Sequence, residues 1–190
     1  MTTIPIEVSG HHIHISKNDL YKLFGESYKL TSIKDLSQKG QFACEEKVVV
    51  STEAGKIKGL RIAGPEREAT QVEITKTDAY ILKIDPPVKE CTTCVGEKAA
   101  AVKITGPKGS IKRDAAIIAH RHIHLSSKES DELNLKEGEK VSVRTEGDRA
   151  ITFHNVLIRV DESFVKNMHL DTDEANAAGI EKKATGEIIK

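Results

Sequence analysis

Short runs of β-branched and apolar residues alternate with polar positions along this chain and end at Gly, Pro or Asp turns. They fall at Val48–Ser51, Ile57–Ile62, Gln71–Thr75, Ala100–Thr105, Ile111–Ile118, Val141–Thr145 and Ile151–Val160, with turn signals at Gly64-Pro65 and Gly106-Pro107-Lys108-Gly109. Helical stretches are few and short. Lys17–Phe24 follows a hydroxyl N-cap at Ser16 and stops at Gly25, and Lys128–Leu133 follows Ser126-Ser127. Asp171–Gly179 reads as an acid-rich first turn, a short helix and a glycine stop. Many short strands and few helices predict antiparallel barrels, which remove exposed edges by closing on themselves.

The chain repeats itself. His12-Ile13-His14-Ile15-Ser16 matches His122-Ile123-His124-Leu125-Ser126 at an offset of 110 residues, and a capped helix follows each. Lys47–Gly55 then resembles Lys140–Asp148 at an offset of 93, so the first copy carries 17 extra residues, around Ser27 to Glu46. So long a period points to duplication of a small domain and not to a solenoid. The expected architecture is mainly β with short helices: two small β-barrel domains from an internal duplication, each capped by short helices. They are expected at 1–90 and 91–190, with the boundary between Asp85-Pro86-Pro87 and Gly96 and the active site between them.

Composition narrows the function. The 190 residues hold 29 Lys+Arg and 29 Asp+Glu, with no basic stripe, which argues against nucleic acid as a partner. The basic pair Lys182-Lys183 is isolated in a polar tail. No apolar run approaches the about 18 residues of a membrane span, and the N-terminus lacks a basic and then apolar leader, so a cytoplasmic protein is expected. Three cysteines are too few for a disulfide scaffold. Cys91-Thr92-Thr93-Cys94 has the spacing of half a zinc ribbon, but no second such pair follows.

Six of the eight histidines lie in the two repeated clusters. In a strand, residues i and i+2 share a face, so His12 and His14 point together, as do His122 and His124. Two imidazoles on one face begin a transition-metal site, commonly zinc, and each pair needs a further ligand. His169, which precedes the capped turn at Asp171, is one candidate, with a solvated strand-end histidine as the alternative. Glu73 is the other, with an exposed acid on a half-buried strand as the alternative. His11, His120 and His154 read as structural or supporting.

Arg67, just past the Gly64-Pro65 turn, is placed to bind an anion through two parallel hydrogen bonds. No GxxxxGK[ST], GxGxxG or GxSxG pattern is present, which leaves P-loop, Rossmann and serine-hydrolase readings without support.

Six segments, in order, resemble the PduL-type phosphotransacylases, the phosphate propanoyltransferases. They are His12–Ser16, Leu36–Ala43, Gly64–Arg67, Thr70–Thr75, Arg121–His124 and His169–Asn176, and the resemblance spans about Val8 to Gly179. It implies two β-barrels meeting at a dinuclear zinc site. His12, His14 and Glu73 would hold one zinc, and His122, His124 and His169 the other. Arg67 would bind phosphate, and Ser9, Lys34, Arg61, Tyr80 and Asn176 would contact coenzyme A. The implied reaction is acyl-CoA plus inorganic phosphate giving acyl phosphate plus CoA, reversibly, in a homodimer. The eight residues before Ser9 leave no room for the microcompartment-targeting segment of some members, which implies a free cytoplasmic enzyme of acetate or propionate metabolism. The chain departs from the family at His11, usually arginine, at Cys44, usually small, and at Glu90–Cys94, usually Ser/Gly-rich. A metal-dependent hydrolase and a non-catalytic metal-binding module remain as alternatives.

Overall fold

The computed structural model describes residues 2–89, 99–181 and 184–189. The Cys91–Cys94 pair, most of the altered loop and Lys182-Lys183 lie outside the described residues. The chain forms two compact units, His11–Ala119 and Met1–Gly10 with His120–Lys190. These are called the central and terminal barrels.

In the central barrel, β2 (His12–His14) lies between β5 (Lys56–Gly64), parallel, and β6 (Gln71–Glu73), antiparallel. β6 pairs parallel with β9 (Ser110–Ala119), and β8 (Ala100–Thr105) joins β9 to β4 (Phe42–Ser51), which returns to β5. Six strands thus close into a ring, with β3 (Ser32–Asp35) added on β4 and β7 (Val88–Lys89) on β9. In the terminal barrel, β10 (His122–Leu125) lies between β12 (Thr152–Val160), parallel, and β13 (Asn167–Asp171), antiparallel. β13 pairs parallel with β1 (Thr2–Ser9), and β14 (Thr185–Ile189) and β11 (Lys140–Arg144) close the ring.

The two rings have the same series of parallel and antiparallel pairings, strand for strand, as a duplication requires. The units differ from the expected division at 90/91. β8 and β9 are needed to connect β4 to β6, so the central unit extends to Ala119. β1 pairs with β13 and β14, so the N-terminus belongs with the C-terminal half. Each copy has contributed its leading strand to the other copy's barrel.

The pattern of side chains explains these elements. Ile4 and Ile6 alternate with Thr3, Pro5 and Glu7, and they bury against Ile123, Leu125, Val143, Ile158 and Met168. Pro5, which has no N–H to donate, falls where β1 changes neighbour from β14 to β13. Ile13, Ile15, Val48, Leu60, Ile62 and Val72 fill the central barrel. Helix α1 (Lys17–Phe24) starts at the Ser16 cap, seals that core with Leu20 and Leu23, and ends at Gly25, whose φ of 114° suits glycine. Helix α3 (Ser127–Leu133) is its terminal-barrel counterpart. Two more helices, α2 (Lys76–Leu82) and α4 (Thr172–Ala177), follow β6 and β13. The extra residues of the first copy form β3 and the start of β4. They are held by the buried Glu46 carboxylate, which accepts from the Tyr28 hydroxyl at 3.1 Å and the Thr31 N–H at 3.0 Å.

One polar contact spans much of the central unit. The buried Asp19 carboxylate receives Arg113 Nε at 3.0 Å and Nη2 at 2.5 Å, and the Thr70 hydroxyl at 2.7 Å. Burial pushes this carboxyl up, but Arg113 and Thr70 outweigh it and hold it below its ordinary value of 3.8. Asp19→Asn should therefore cost about 3 kcal/mol at neutral pH. An acid depressed in the fold gives its stability above the unfolded value and loses it below. The difference between wild type and Asp19→Asn in urea unfolding should therefore shrink as pH falls below 3.8.

Candidate functional site

The sequence-predicted ligands gather into two clusters, one in each unit, with all donor atoms of a cluster within 4.8 Å of one another. In the central barrel, His12 and His14 project from one face of β2, their Nε2 atoms 3.1 Å apart. The antiparallel register sets Glu73 directly opposite His12. Its carboxylate oxygens lie 3.5 Å from His12 Nε2 and 3.4 Å from His14 Nε2. Glu73 is 7% exposed, so the reading of an exposed acid is excluded. The His14 Nδ1–H donates to the Ala63 carbonyl at 3.2 Å, which leaves the Nε2 lone pair of the neutral ring facing the cluster.

In the terminal barrel, His122 and His124 project from β10, and the register sets His169 of β13 opposite His122. The ring centroids lie 4.5 to 5.1 Å apart. His122 Nδ1–H donates to the His120 carbonyl at 2.8 Å, again fixing the tautomer. His124 stacks on Phe164 at 3.9 Å, and its buried Nδ1 has no hydrogen-bond partner among the described residues. Glu73 and His169 therefore occupy the same register position in the two copies, one a carboxylate and the other an imidazole.

Burial keeps His14 and His124 neutral. It lowers His14 to about 4 against the opposing pull of Glu73, with smaller lowering by His12 and Arg67. Burial and the neighbouring His122, His169 and Arg159 lower His124 to about 2. Clustered imidazoles, with the tautomers of His14 and His122 fixed by backbone carbonyls, and a buried carboxylate at Glu73 form donor sets that fit a divalent transition-metal ion.

Arg67 is half-buried and anchored beside the first cluster. Its N–H donates to the Ile15 carbonyl at 2.9 Å, and its charge contributes to lowering His14. Arg61 stands in register with His12, and its guanidinium donates to the Cys44 carbonyl. Lys34 is exposed on β3 opposite Ala43, next to Cys44. Tyr80 is 85% exposed on α2. In the other unit, Ser9 ends β1 opposite Asp171, and Asn176 is exposed on α4. The Cys44 thiol is buried, and burial pushes it up to about 11, so it is no ready nucleophile.

Two ion pairs escaped the sequence reading. His11 Nδ1 lies 3.0 Å from Asp78, and Arg121 Nε lies 3.0 Å from Glu174. His11 and Arg121 directly precede the paired histidines. Asp78 and Glu174 come five residues after Glu73 and His169, and each also accepts the N-cap N–H of its helix, from Thr75 at 3.2 Å and Asp171 at 3.1 Å. Each pair ties a histidine strand to the helix that follows the third residue of its cluster. The spacing T-x-x-D at Thr75–Asp78, beside D-x-x-E at Asp171–Glu174, was the available signal. His154 instead meets the Ser142 hydroxyl at 2.8 Å on the surface, away from either cluster's ligand set.

Residues 5–181 match the family model for phosphate propanoyltransferase. The chain belongs to the phosphate propanoyltransferase family. It is 43% identical over 188 residues to a phosphate propanoyltransferase of Clostridioides difficile (strain 630), covering 98% of this chain and 89% of that one. The Thermotoga maritima phosphate propanoyltransferase is 43% identical over 188 residues, covering 98% and 87%. That of Lachnoclostridium phytofermentans is 44% identical over 179 residues, covering 93% and 83%. As a member of the phosphate propanoyltransferase family the chain is an acyltransferase. Among the described residues, no helix is long and apolar enough to cross a membrane.

The buried imidazoles make a pH prediction for metal-free protein. His14 and His124 should show no titration between pH 5 and 8 by NMR. A histidine depressed by folding leaves the unfolded chain binding more protons below its ordinary value of 6.5. Stability to urea should therefore fall as pH drops from 6.5 toward 4, and restoring divalent metal should oppose that fall at the upper end.

Proposed function

We propose that this chain transfers a short acyl group, propanoyl or acetyl, between coenzyme A and inorganic phosphate. Two zinc ions would be held, one by His12, His14 and Glu73 and the other by His122, His124 and His169. Arg67 would be the phosphate-binding residue. The reaction would be acyl-CoA plus phosphate giving acyl phosphate plus CoA, in either direction. The observation that carries this reading is the position of Arg67. Its backbone is pinned to Ile15, one residue past the strand bearing His12 and His14, and its charge is felt at His14.

A phosphate oxygen attacks the thioester carbonyl carbon, the carbonyl becomes a tetrahedral oxyanion, and the C–S bond then breaks to release coenzyme A as a thiolate. Bound zinc would supply positive charge for the incoming anion and the developing oxyanion. Arg67 holds two phosphate oxygens through parallel N–H donors and so fixes the direction of attack. The Ala63 carbonyl keeps His14 in one tautomer and orientation. Neutral Cys44 takes no part, and no acyl-enzyme is required. Lys34 and Arg61 would meet the phosphates of coenzyme A, Tyr80 its adenine, and Ser9 and Asn176 other parts of the cofactor. The buried, free Cys44 thiol is in keeping with a reducing, cytoplasmic setting.

The test is CoA release from acetyl-, propionyl- and butyryl-CoA with and without phosphate. Phosphate-dependent release with acyl phosphate formed is expected. Release that ignores phosphate would mean hydrolysis, and no release would mean a binding role. Arg67→Ala should raise the phosphate KM about 10- to 100-fold or abolish turnover. Glu73→Ala and His169→Ala should each lower bound zinc by about one equivalent in metal analysis.

A further inference from the structure

Gln71 opens β6 two residues before Glu73. Strand alternation puts both side chains on one face, and the antiparallel register sets Gln71 directly opposite His14, as it sets Glu73 opposite His12. Gln71 is 4% exposed, and its buried Nε2 has no hydrogen-bond partner among the described residues. A buried amide donor left unpaired is costly, so a well-folded barrel retains one where something else fills it. On the other side of this strand, just past His14, the Arg67 N–H donates to the Ile15 carbonyl at 2.9 Å and Arg67 bridges to Ser16. An arginine and an amide donor thus stand on either side of the strand end that bears His14.

The duplicate barrel supplies the control. The residue opposite His124 is Asn167, the structural equivalent of Gln71. Its Nδ2 is committed to Glu7 at 2.9 Å, and what it leaves buried without a partner among the described residues is Oδ1, an acceptor that would repel an anion. The equivalent of Arg67 is Asp161, whose N–H donates to Leu125 as that of Arg67 donates to Ile15. An unspent amide donor and an arginine therefore occur together at these two positions of the central barrel, and neither occurs at the equivalent positions of the terminal one, where the arginine near the cluster, Arg159, comes instead from β12 opposite His124.

We infer that the Gln71 side-chain amide donates to an oxygen of the phosphate bound by Arg67, making Gln71 a second phosphate-binding residue. This rests on the phosphotransacylase reading and deepens it. The amide adds a neutral, directional donor to the charged fork of Arg67, and it distinguishes an anion that only accepts from a ligand that must donate.

Gln71→Met and Gln71→Glu in the full-length, zinc-loaded protein test the inference. Methionine keeps the length and removes the donor; glutamate keeps the shape and presents negative charge. Both should raise the phosphate KM, methionine about tenfold and glutamate further, while the acyl-CoA KM stays within about twofold. Calorimetry with inorganic phosphate alone should show the same order without turnover. Gln71→Met should also melt no lower than wild type, since it removes an unpaired buried donor. Wild-type phosphate affinity in both variants would overturn the inference, and so would a rise confined to the acyl-CoA KM. A fall in Tm and bound zinc in Gln71→Met that matches its kinetic loss would assign the residue a structural role and overturn it too. Loss of the phosphate effect in wild type would instead overturn the phosphotransacylase reading itself, and with it this one.

Discussion

Each barrel closes by borrowing a strand. A six-stranded ring needs a partner for β13 and for β6, and in both cases the partner is the leading strand of the other copy. The chain therefore changes units at Gly10–His11 and again at Ala119–His120. Each crossing is followed at once by the strand that carries the paired histidines. That strand sits between a parallel and an antiparallel neighbour, with Ile13 or Ile123 fully buried between its two imidazoles. Ring closure thus places polar side chains where water cannot solvate them.

Burial then dictates the chemistry of those side chains. His14 and His124 do not take up a second proton at neutral pH, and His14, with Nδ1–H committed to the Ala63 carbonyl, offers Nε2 as a lone pair. The third residue of each cluster enters from the antiparallel neighbour at the register position opposite the first histidine. The helix capping box just after it returns an acid to the residue just before the histidines. Histidine strand, third cluster residue and helix are locked together by backbone register and by the His11–Asp78 and Arg121–Glu174 pairs.

The two copies keep this frame and differ in what they hang on it. Glu73 stands where the other copy has His169, His11 where it has Arg121, Arg67 where it has Asp161, and Gln71 where it has Asn167. All four differences concern charge or hydrogen-bond donation around the clusters, and none alters a strand pairing. The frame tolerates them because they sit on the polar face, while the apolar residues between them, Ile13 and Val72 in one barrel and Ile123 and Met168 in the other, stay fully buried.

Much of this was legible in the residues. Period-2 alternation located most strands, because one face of each is buried. Hydroxyl N-caps at Ser16 and Ser126-Ser127 and the acid-rich turn at Asp171 located α1, α3 and α4. A constant offset between two His-x-His segments announced the duplication, and i, i+2 geometry put each pair on one face. The helix α2 escaped because its signal is only the Thr75–Asp78 spacing, and β1 because Pro5 interrupts a strand that changes neighbours there. The sequence alone determined most local elements, the copies and the residue types of the two clusters, since these follow from short-range periodicity and side-chain chemistry. Tertiary structure decided which copy each leading strand joins, that Glu73 is buried against the histidines, and which amide keeps an unspent donor. Those depend on long-range strand register, which local pattern does not encode.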